Sequence, residues 1–431
     1  MTAAAIMAAP AFGQEAGVPP EEPILTIPAA IDPDTKAAIA GINAFSLDLY
    51  RQTLKPDANH FLSPASVSVA VGLAYRGARG TTAEELAKTL HFGKPPRDYL
   101  RANGQILGTM SFSGPQRELR TANAVWLQDG TPLLADYEQD LVAFAKAGLQ
   151  RVNFRGETDA ARIKVNDWVA DSTGDRIRNL LRPGDVTRET RAILVNAIYW
   201  KGRWASLFDK NQTKAEPFTS LSGDRLPTPL MHQRSNFRVI ERDGVKAIAL
   251  PYVGHEVDML LFLPNSEKGL PKFEEKLTAA ELAKWLDDLG KAAWRDTILT
   301  VPKMRLEWRQ DLKTSLEAMG APTAFSDNAD FSAMVSFPYA GEDPKAVGLN
   351  IARVIHQSYL DVDEAGSEAA AATAVVMEII VTSSRSETPP PPPFLFRADK
   401  PFLFLLRDRR TGLILFMGRY VKPQAEVMPG D

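Results

Sequence analysis

Short apolar runs in the second half of the chain constrain the fold more than any other feature of the sequence. There are six of them, and turn-forming or charged residues separate them. Runs this apolar are typical of strands that are buried on both faces or lie at the centre of a sheet. The sequence therefore predicts large, mainly antiparallel sheets. The runs are RAILVNAIYW (191–200), VKAIALPY (245–252), VDMLLFLP (257–264), DTILTVPKMRL (296–306), PFLFLLRD (401–408) and GLILFMGRYV (412–421).

The first half of the chain has helical patterns instead. Apolar residues recur there at helical spacing, Thr82 and Glu85 form a capping-box signature, and Gly174 is a stop signal. Helices followed by strands, without regular alternation, predict an α+β protein. The predicted helices cover 36–54, 63–75, 80–90 and 159–174.

Composition and motifs argue against several functional classes. The 431 residues carry a formal net charge of −3 and no basic stripe, which argues against a nucleic-acid partner. There is no cysteine, so thiol nucleophiles and thiolate metal sites are excluded. The chain has no nucleophile elbow, P-loop or dinucleotide fingerprint, and its five histidines are far apart in sequence. A triad assembled from distant residues stays open. We predict no catalytic residue, metal or cofactor.

The N-terminal segment favours export. Residues 1–14 are small and apolar with an AFG–QE junction, as at the end of a secretory signal peptide, although a basic n-region is missing. The alternative is a disordered tail rich in alanine and proline. Residues 15–35 predict an extended, proline-rich spacer. From the character of residues 1–14 we expect a secreted or periplasmic protein. No stretch of the sequence approaches the roughly 20 apolar residues of a membrane span.

An alanine-rich stretch near the C-terminus conflicts with its surroundings. Residues 364–377 read EAGSEAAAATAVVM, which is compatible with a helix, yet strand-like residues and the run TPPPPPF follow directly. Polyproline cannot enter the interior of a sheet and is expected to form an exposed rod.

Six ordered segments identify a resemblance to the serpin family over roughly residues 39–423. They cover two early helices, a central-sheet signature, two later landmarks, the hinge of a reactive loop and the C-terminal strands. The segments are FLSPASVSVAVGLAYRGARGTTAEELAKTL, LVNAIYWKGRWASLFDKNQTKAEPF, VPKMRLEWRQDLKTSLEAMG, AFSDNADFSAM, DEAGSEAAAATAVVM and FRADKPFLFLLRDRRTGLILFMGRYVKP.

The resemblance implies a fold and a mechanism. Residues 36–431 would form a single domain with three β-sheets and about eight or nine helices. The largest sheet would have a central gap, and a reactive-centre loop at about 364–395 would be exposed above it. The protein would be a monomeric suicide-substrate inhibitor, not an enzyme. Its partner would be a serine protease, trapped when the cleaved loop inserts into the sheet.

The alanine-rich stretch fits the hinge of such a loop. Small side chains at inward-facing positions would pass between two existing strands, and a glycine supplies flexibility. The implied hinge residues are Glu364, Gly366, Ser367, Glu368, Ala369, Ala370, Ala371 and Ala372.

In the family the reactive bond lies about sixteen residues beyond the hinge glutamate, where the length of the sheet sets the limit. Counting from Glu364 predicts Ile380–Val381, which suits an elastase-like or subtilisin-like protease. The alternative bond is Arg385–Ser386, which suits trypsin-like enzymes but makes the hinge side five residues too long.

The resemblance also implies two structural clusters. Ser63, Ser66, Asn196 and His356 match the shutter, where the central strands part. Trp204 and Lys303 match the breach, where the loop enters the sheet. Lys303 could pair with Glu364; the alternative is an exposed ion pair of ~0–1 kcal/mol.

Two other functions remain open. The first is a non-inhibitory serpin that binds a ligand or is cleaved without trapping. Proline or charge at the early inward-facing hinge positions would favour it, and Ser367 and Ala369–Ala372 do not. The second is inhibition of cysteine proteases through the same loop.

Overall fold

The computed structural model describes residues 31–109, 116–145, 148–336, 349–367 and 391–423. Within these ranges there are nine α-helices, which agrees with the implied number. All of the helices in this described part are too short or too polar to cross a lipid bilayer. The helices are α1 (Pro33–Thr53), α2 (Pro64–Gly77), α3 (Gly80–Thr89), α4 (Pro96–Thr109), α5 (Ala135–Asp140), α6 (Thr158–Thr173), α7 (Leu270–Lys276), α8 (Ala279–Lys291) and α9 (Lys313–Ala318).

All six apolar runs form strands, as predicted. The run 296–306 divides at Lys303 into two strands. The strands are β1 (His60–Leu62), β2 (Arg117–Gln128), β3 (Gly148–Val152), β4 (Ala192–Arg203), β5 (Lys214–Thr219), β6 (Arg225–Arg242), β7 (Val245–Pro251), β8 (Val257–Pro264), β9 (Trp294–Pro302), β10 (Met304–Asp311), β11 (Arg353–Val362), β12 (Gly366–Ser367), β13 (Phe394–Arg397), β14 (Phe402–Asp408) and β15 (Ile414–Tyr420).

Helix ends follow local capping rules in some places and tertiary contacts in others. Ser63 precedes α2 and its hydroxyl accepts the amide of Ser66 at 3.3 Å, and Gly174 ends α6 in a left-handed conformation with φ of 60°. The capping box predicted for α3 is wrong. The hydroxyl of Thr82 accepts a hydrogen bond from the amide of Asp330 at 2.9 Å. The Glu85 carboxylate accepts hydrogen bonds from the amide and the hydroxyl of Thr323, the first residue of a 3₁₀ turn at 323–325. Contacts between segments have replaced the local cap.

The described strands form a nine-stranded and a six-stranded assembly. The nine strands run β1-β15-β14-β8-β7-β6-β9-β13, with β5 on the outside of β6. The long strand β6 pairs with β5 and β9 along residues 225–238 and with β7 along 238–242. The assembly therefore consists of two sheets that share β6, and with the six-stranded sheet the fold has the three sheets that the resemblance implies.

The six-stranded sheet lies in the centre, in the order β10-β11-β12-β4-β2-β3, and β11 also pairs with β4. Alternate side chains of β4 enter two different cores. Leu194 and Trp200 join the large core between this sheet, α1, α2 and the nine-stranded assembly. Ile193 and Val195 pack on the other face, beneath α6. Both faces of the lower half of β4 are therefore buried, whereas the outer face of its upper end extends beyond α6.

Candidate functional site

The candidate site is the seam between β4 and β11 in the central sheet. The two strands pair in parallel over seven residues, 193–199 opposite 353–359. Above this stretch β12 lies between them, with Ser367 opposite Gly202 of β4 and Val362 of β11. The central gap implied by the resemblance is therefore wrong along these seven residues, because direct hydrogen bonding closes them. Within the described part of the chain, a third strand lies between β4 and β11 only at the upper end, which we call the mouth of the seam.

A tight turn at residues 363–366, the hinge turn, directs the chain into the mouth. The Asp363 amide donates to the Gly366 carbonyl at 2.8 Å, and the Asp363 carboxylate accepts the amides of Ala365 and Gly366 at 2.8 and 3.2 Å. A β-carbon on Gly366 would lie 2.0 Å from the carbonyl oxygen of Gly202. Only glycine allows this close approach of the two backbones. The position of Ser367 between the strands therefore requires Gly366 in the hinge turn.

Glu364, the second residue of the hinge turn, is buried. Its carboxylate accepts hydrogen bonds from Lys303 Nζ at 3.1 Å and from the Thr213 hydroxyl at 2.7 Å, and only 4% of the residue is exposed. Burial raises the pKa of the carboxyl, but the Thr213 hydroxyl and the Lys303 ammonium together hold the pKa of Glu364 below its ordinary value. The predicted Lys303 contact is thus present, and it involves a buried carboxylate instead of an exposed pair.

Aromatic residues form the floor of the mouth. The Trp204 indole donates to the Asp363 carbonyl at 3.0 Å, and its ring stacks on Tyr252 with centroids 4.4 Å apart. The Tyr252 and Ser367 hydroxyls lie 2.6 Å apart, and Ser367 is fully buried. Sequence reasoning missed Tyr252, which is 115 positions from Ser367, and no local signal marks it.

A polar cluster lies on the inner side of the seam, below the mouth. The structure brings together the four predicted shutter residues, Ser63, Ser66, Asn196 and His356, and adds Asn123. The Asn196 amide donates to the Ser66 hydroxyl at 2.6 Å and to the Asn123 carbonyl oxygen, and Ser66 donates to the same oxygen at 3.0 Å. The cluster joins α2, β2, β4 and β11 through hydrogen bonds that can be exchanged.

The geometry determines the tautomer of His356. A backbone amide can only donate, so His356 Nε2 accepts from the Ser63 amide at 3.0 Å. Nδ1 therefore carries the proton and donates to the Asn196 side-chain oxygen across the seam. Burial lowers the pKa of His356 to about 3, so the ring is neutral. The His356–Asn196 bond is one of the contacts that must break if the strands separate.

Asn123 is the second residue that sequence reasoning missed. It interrupts an apolar stretch of β2, as Asn196 interrupts β4, and the two are opposite each other in the antiparallel register. A buried amide among apolar residues requires a polar partner. Two asparagines in such runs were therefore a usable signal, although nothing in the sequence pairs them.

Acid is expected to destabilise the intact protein through two buried histidines. His60 and His356 flank Trp308, and burial lowers the pKa of each to about 3. The unfolded chain binds a proton on each ring below its ordinary pKa of 6.5, whereas the folded state does not. Stability should thus fall as pH drops from 6.5 towards 3, by up to ~1.4 kcal/mol per pH unit per histidine.

The measurement is the melting temperature between about pH 7 and pH 4. A His356→Gln or His60→Gln variant should have a shallower profile, whereas His91→Gln, at an exposed position, should keep the full slope. A melting temperature of the parent protein that stays constant over this range would contradict the assignment of neutral, buried rings.

The other predicted site residues lie outside the described residues. They are Glu368, Ala369, Ala370, Ala371 and Ala372 of the hinge and the bonds Ile380–Val381 and Arg385–Ser386.

Comparisons with known proteins agree with this geometry. Residues 40–423 match the family described as Serpin (serine protease inhibitor). An uncharacterized serpin-like protein of Methanosarcina acetivorans is 32% identical, with 94% of this chain and 92% of that protein covered. Human serpin B3 is also 32% identical, with coverage of 88% and 97%. Human thyroxine-binding globulin, solved in complex with thyroxine, has a TM-score of 0.78 at 26% identity, covering 91% of this chain and all of that one.

Proposed function

Because this chain belongs to the serpin family, described as serine protease inhibitors, we propose that it is a suicide-substrate inhibitor of serine proteases. A protease attacks the reactive-centre loop at about 364–395 and forms an acyl-enzyme. The cut frees the hinge side of the loop, which enters the seam as a central strand and carries the protease with it. The inhibitor supplies no catalytic residue and no cofactor.

One observation carries this proposal: the hinge side of the loop has already begun the strand that insertion would complete. Gly366 and Ser367 pair with β4 on one side, and Ser367 pairs with β11 on the other. Continuing the same antiparallel register would bring Thr373 opposite both Asn196 and His356. The loop would therefore enter the polar cluster without any change of direction or register.

Side-chain alternation supports the same reading. Ser367 faces inward to Tyr252, so every second residue after it would face inward too. Ala369 and Ala371 would pass the narrow mouth, and Thr373 would arrive where the His356–Asn196 bond has opened. A threonine hydroxyl donates and accepts, so it can satisfy both partners. Val375 and Met377 would follow into the large core.

The energetics favour insertion once the loop is cut. The entering strand replaces one parallel ladder of seven residue pairs by two antiparallel ladders. A dozen residues give a net gain on the order of 10 hydrogen bonds at ~0.5–1.5 kcal/mol each, or roughly 5–15 kcal/mol. Burial of the apolar inward-facing residues adds to this. Moving about 15 residues at ~3.3 Å each carries the protease about 50 Å, which would distort its oxyanion hole before water can release it.

We keep Ile380–Val381 as the proposed reactive bond, with Arg385–Ser386 as the alternative, and an elastase-like or subtilisin-like protease as the target. The same proposal includes a monomeric protein in which 36–431 form a single domain. It also includes export to the periplasm or beyond, which the small apolar residues of 1–14 support.

The test mixes the protein with pancreatic elastase, subtilisin, trypsin or papain. A complex with elastase or subtilisin that resists boiling in detergent, and a released peptide that begins at Val381, are expected. A complex with trypsin and a released peptide beginning at Ser386 would identify Arg385–Ser386 as the reactive bond instead. Stable trapping of papain alone would move the target to cysteine proteases. Cleavage to two fragments without any complex would contradict inhibition and favour a non-inhibitory serpin, a class for which the similarity to thyroxine-binding globulin gives a precedent of ligand binding.

A further inference from the structure

Lys201 is a cation without an assigned role beside the mouth of the seam. It lies on the outer face of β4, and its neighbour across the antiparallel register on β2 is Glu118. The Glu118 carboxylate, however, pairs with Arg120 at 2.7 Å. Among the described residues Lys201 has no ion pair, although it is partly buried. Its ammonium group is thus available to an anion that arrives in the seam.

The register of β12 determines which residue would arrive there. Ser367 lies opposite Gly202 and Val362, so the next residue of an extending strand would lie opposite Lys201 on β4 and Asp361 on β11. Ser367 faces inward, so the next residue of an extended strand would face outward, on the same face as Lys201. That successor is Glu368, the first residue of the loop beyond the described part of the chain.

The charged residues on β11, across the seam from Lys201, determine whether a carboxylate is tolerated at this position. Asp361 has Arg305 opposite it on β10, and the Tyr359 hydroxyl lies 3.3 Å from the Asp361 carboxylate. Arg203, two residues above Lys201 on the same face of β4, adds another cation on the β4 side. An entering carboxylate therefore meets two cations on β4 and an acid that already has a basic neighbour on β11. The local charge favours a glutamate over a lysine at this position.

We propose that Lys201 is a positioning residue that receives Glu368 in the first step of loop insertion. The occupant of this site is residue 368 of the same chain, and the proposal rests on the proposed inhibitory function. Lys201 attracts the carboxylate as the hinge extends by one residue, which aligns the strand before the parallel pairs of the seam begin to open. Because both groups are near the surface, salt should weaken the effect.

The experiment is a charge exchange between these two positions. Lys201→Glu and Glu368→Lys should each slow the formation of the protease complex by about three- to tenfold, as expected for reversing one partly exposed pair. The double variant should recover to within about twofold of the parent, because the pair is restored with its signs exchanged. Near 1 M salt, where the screening length is ~3 Å, the differences should shrink. Lys284→Glu, at an exposed position on α8, is the matched control and should have no effect.

A merely structural role for Lys201 would not produce rescue by the exchanged pair. Equal rates for all variants, or a double variant slower than either single one, would overturn the proposal.

A second measurement separates this failure from failure of the proposed function. A synthetic peptide with the sequence of residues 367–380, carrying Glu or Lys at its second position, is incubated with the intact protein, and the gain in melting temperature is followed over time. If no protease is trapped but the Glu peptide inserts faster into the parent and the Lys peptide faster into Lys201→Glu, inhibition fails and the role of Lys201 holds. If proteases are trapped but both peptides insert equally, only the role of Lys201 fails.

Discussion

Cleavage of the loop near Ile380 is expected to raise the melting temperature of this protein by roughly 6–17 °C. The range follows from a gain of 5–15 kcal/mol on insertion and from an unfolding entropy of about 2.1 cal/mol/K per residue for a chain of this length. The physical reason lies in the seam, where seven residue pairs now bond directly although a further strand would double the bonding. Calorimetry of intact and clipped protein measures the difference, with mass spectrometry to confirm a single cut.

A variant that is cut at the same bond but cannot insert provides the control. Ser367→Arg serves this purpose, and its clipped form should melt close to its intact form. If the clipped parent protein melts no later than the intact parent, the intact fold stores no free energy and the proposed mechanism fails.

Ser367→Arg itself is expected to convert the inhibitor into a substrate. Ser367 is fully buried, and its hydroxyl lies 2.6 Å from that of Tyr252, whose ring stacks on Trp204. A guanidinium at this position would have to displace β12 or lie unpaired among aromatic rings, at a cost of several kcal/mol. A cost of about 3 kcal/mol corresponds to about 100-fold in the partition between trapping and release. The detergent-resistant band should disappear, and only cleaved protein should accumulate.

Ser367→Ala is the matched variant, because it removes the hydroxyl but keeps a small side chain. It should still trap the protease, since the Tyr252 contact is one neutral hydrogen bond of about 1 kcal/mol. Persistent trapping by Ser367→Arg would mean that residue 367 does not have to enter the mouth, and the assigned role of β12 would be wrong.

The strands were predictable because their apolar content requires burial whatever their partners are. All six runs formed strands, one of them divided at Lys303, whereas less uniformly apolar strands such as β2, β6 and β11 were not predicted. The pairing of those strands was not predictable in the same way. His356 and Asn196 are 160 positions apart, and no property of either strand specifies that they join in parallel without a gap.

In the candidate site, too, the need of a residue for a partner was predictable, whereas the identity of the partner was not. Asn196 stands out because a buried amide in an apolar strand needs a partner, but the sequence does not say that Asn123, 73 positions away, provides it. Thr82 shows the opposite failure. Its capping signature is local, and a tertiary hydrogen bond from the Asp330 amide, 248 positions away, replaces it. Local rules predicted which groups need partners, and long-range packing decided which partners they found.

The two-residue start of β12 has a mechanical consequence for the proposed inhibitor. Since the seam would part from its upper end, one residue pair after another, work is done at every step of the stroke. Distributing ~5–15 kcal/mol over about 50 Å gives a mean force of roughly 0.1–0.3 kcal/mol per Å. The attached protease is thus under tension from the first inserted residue onward, and the tension continues while insertion is incomplete.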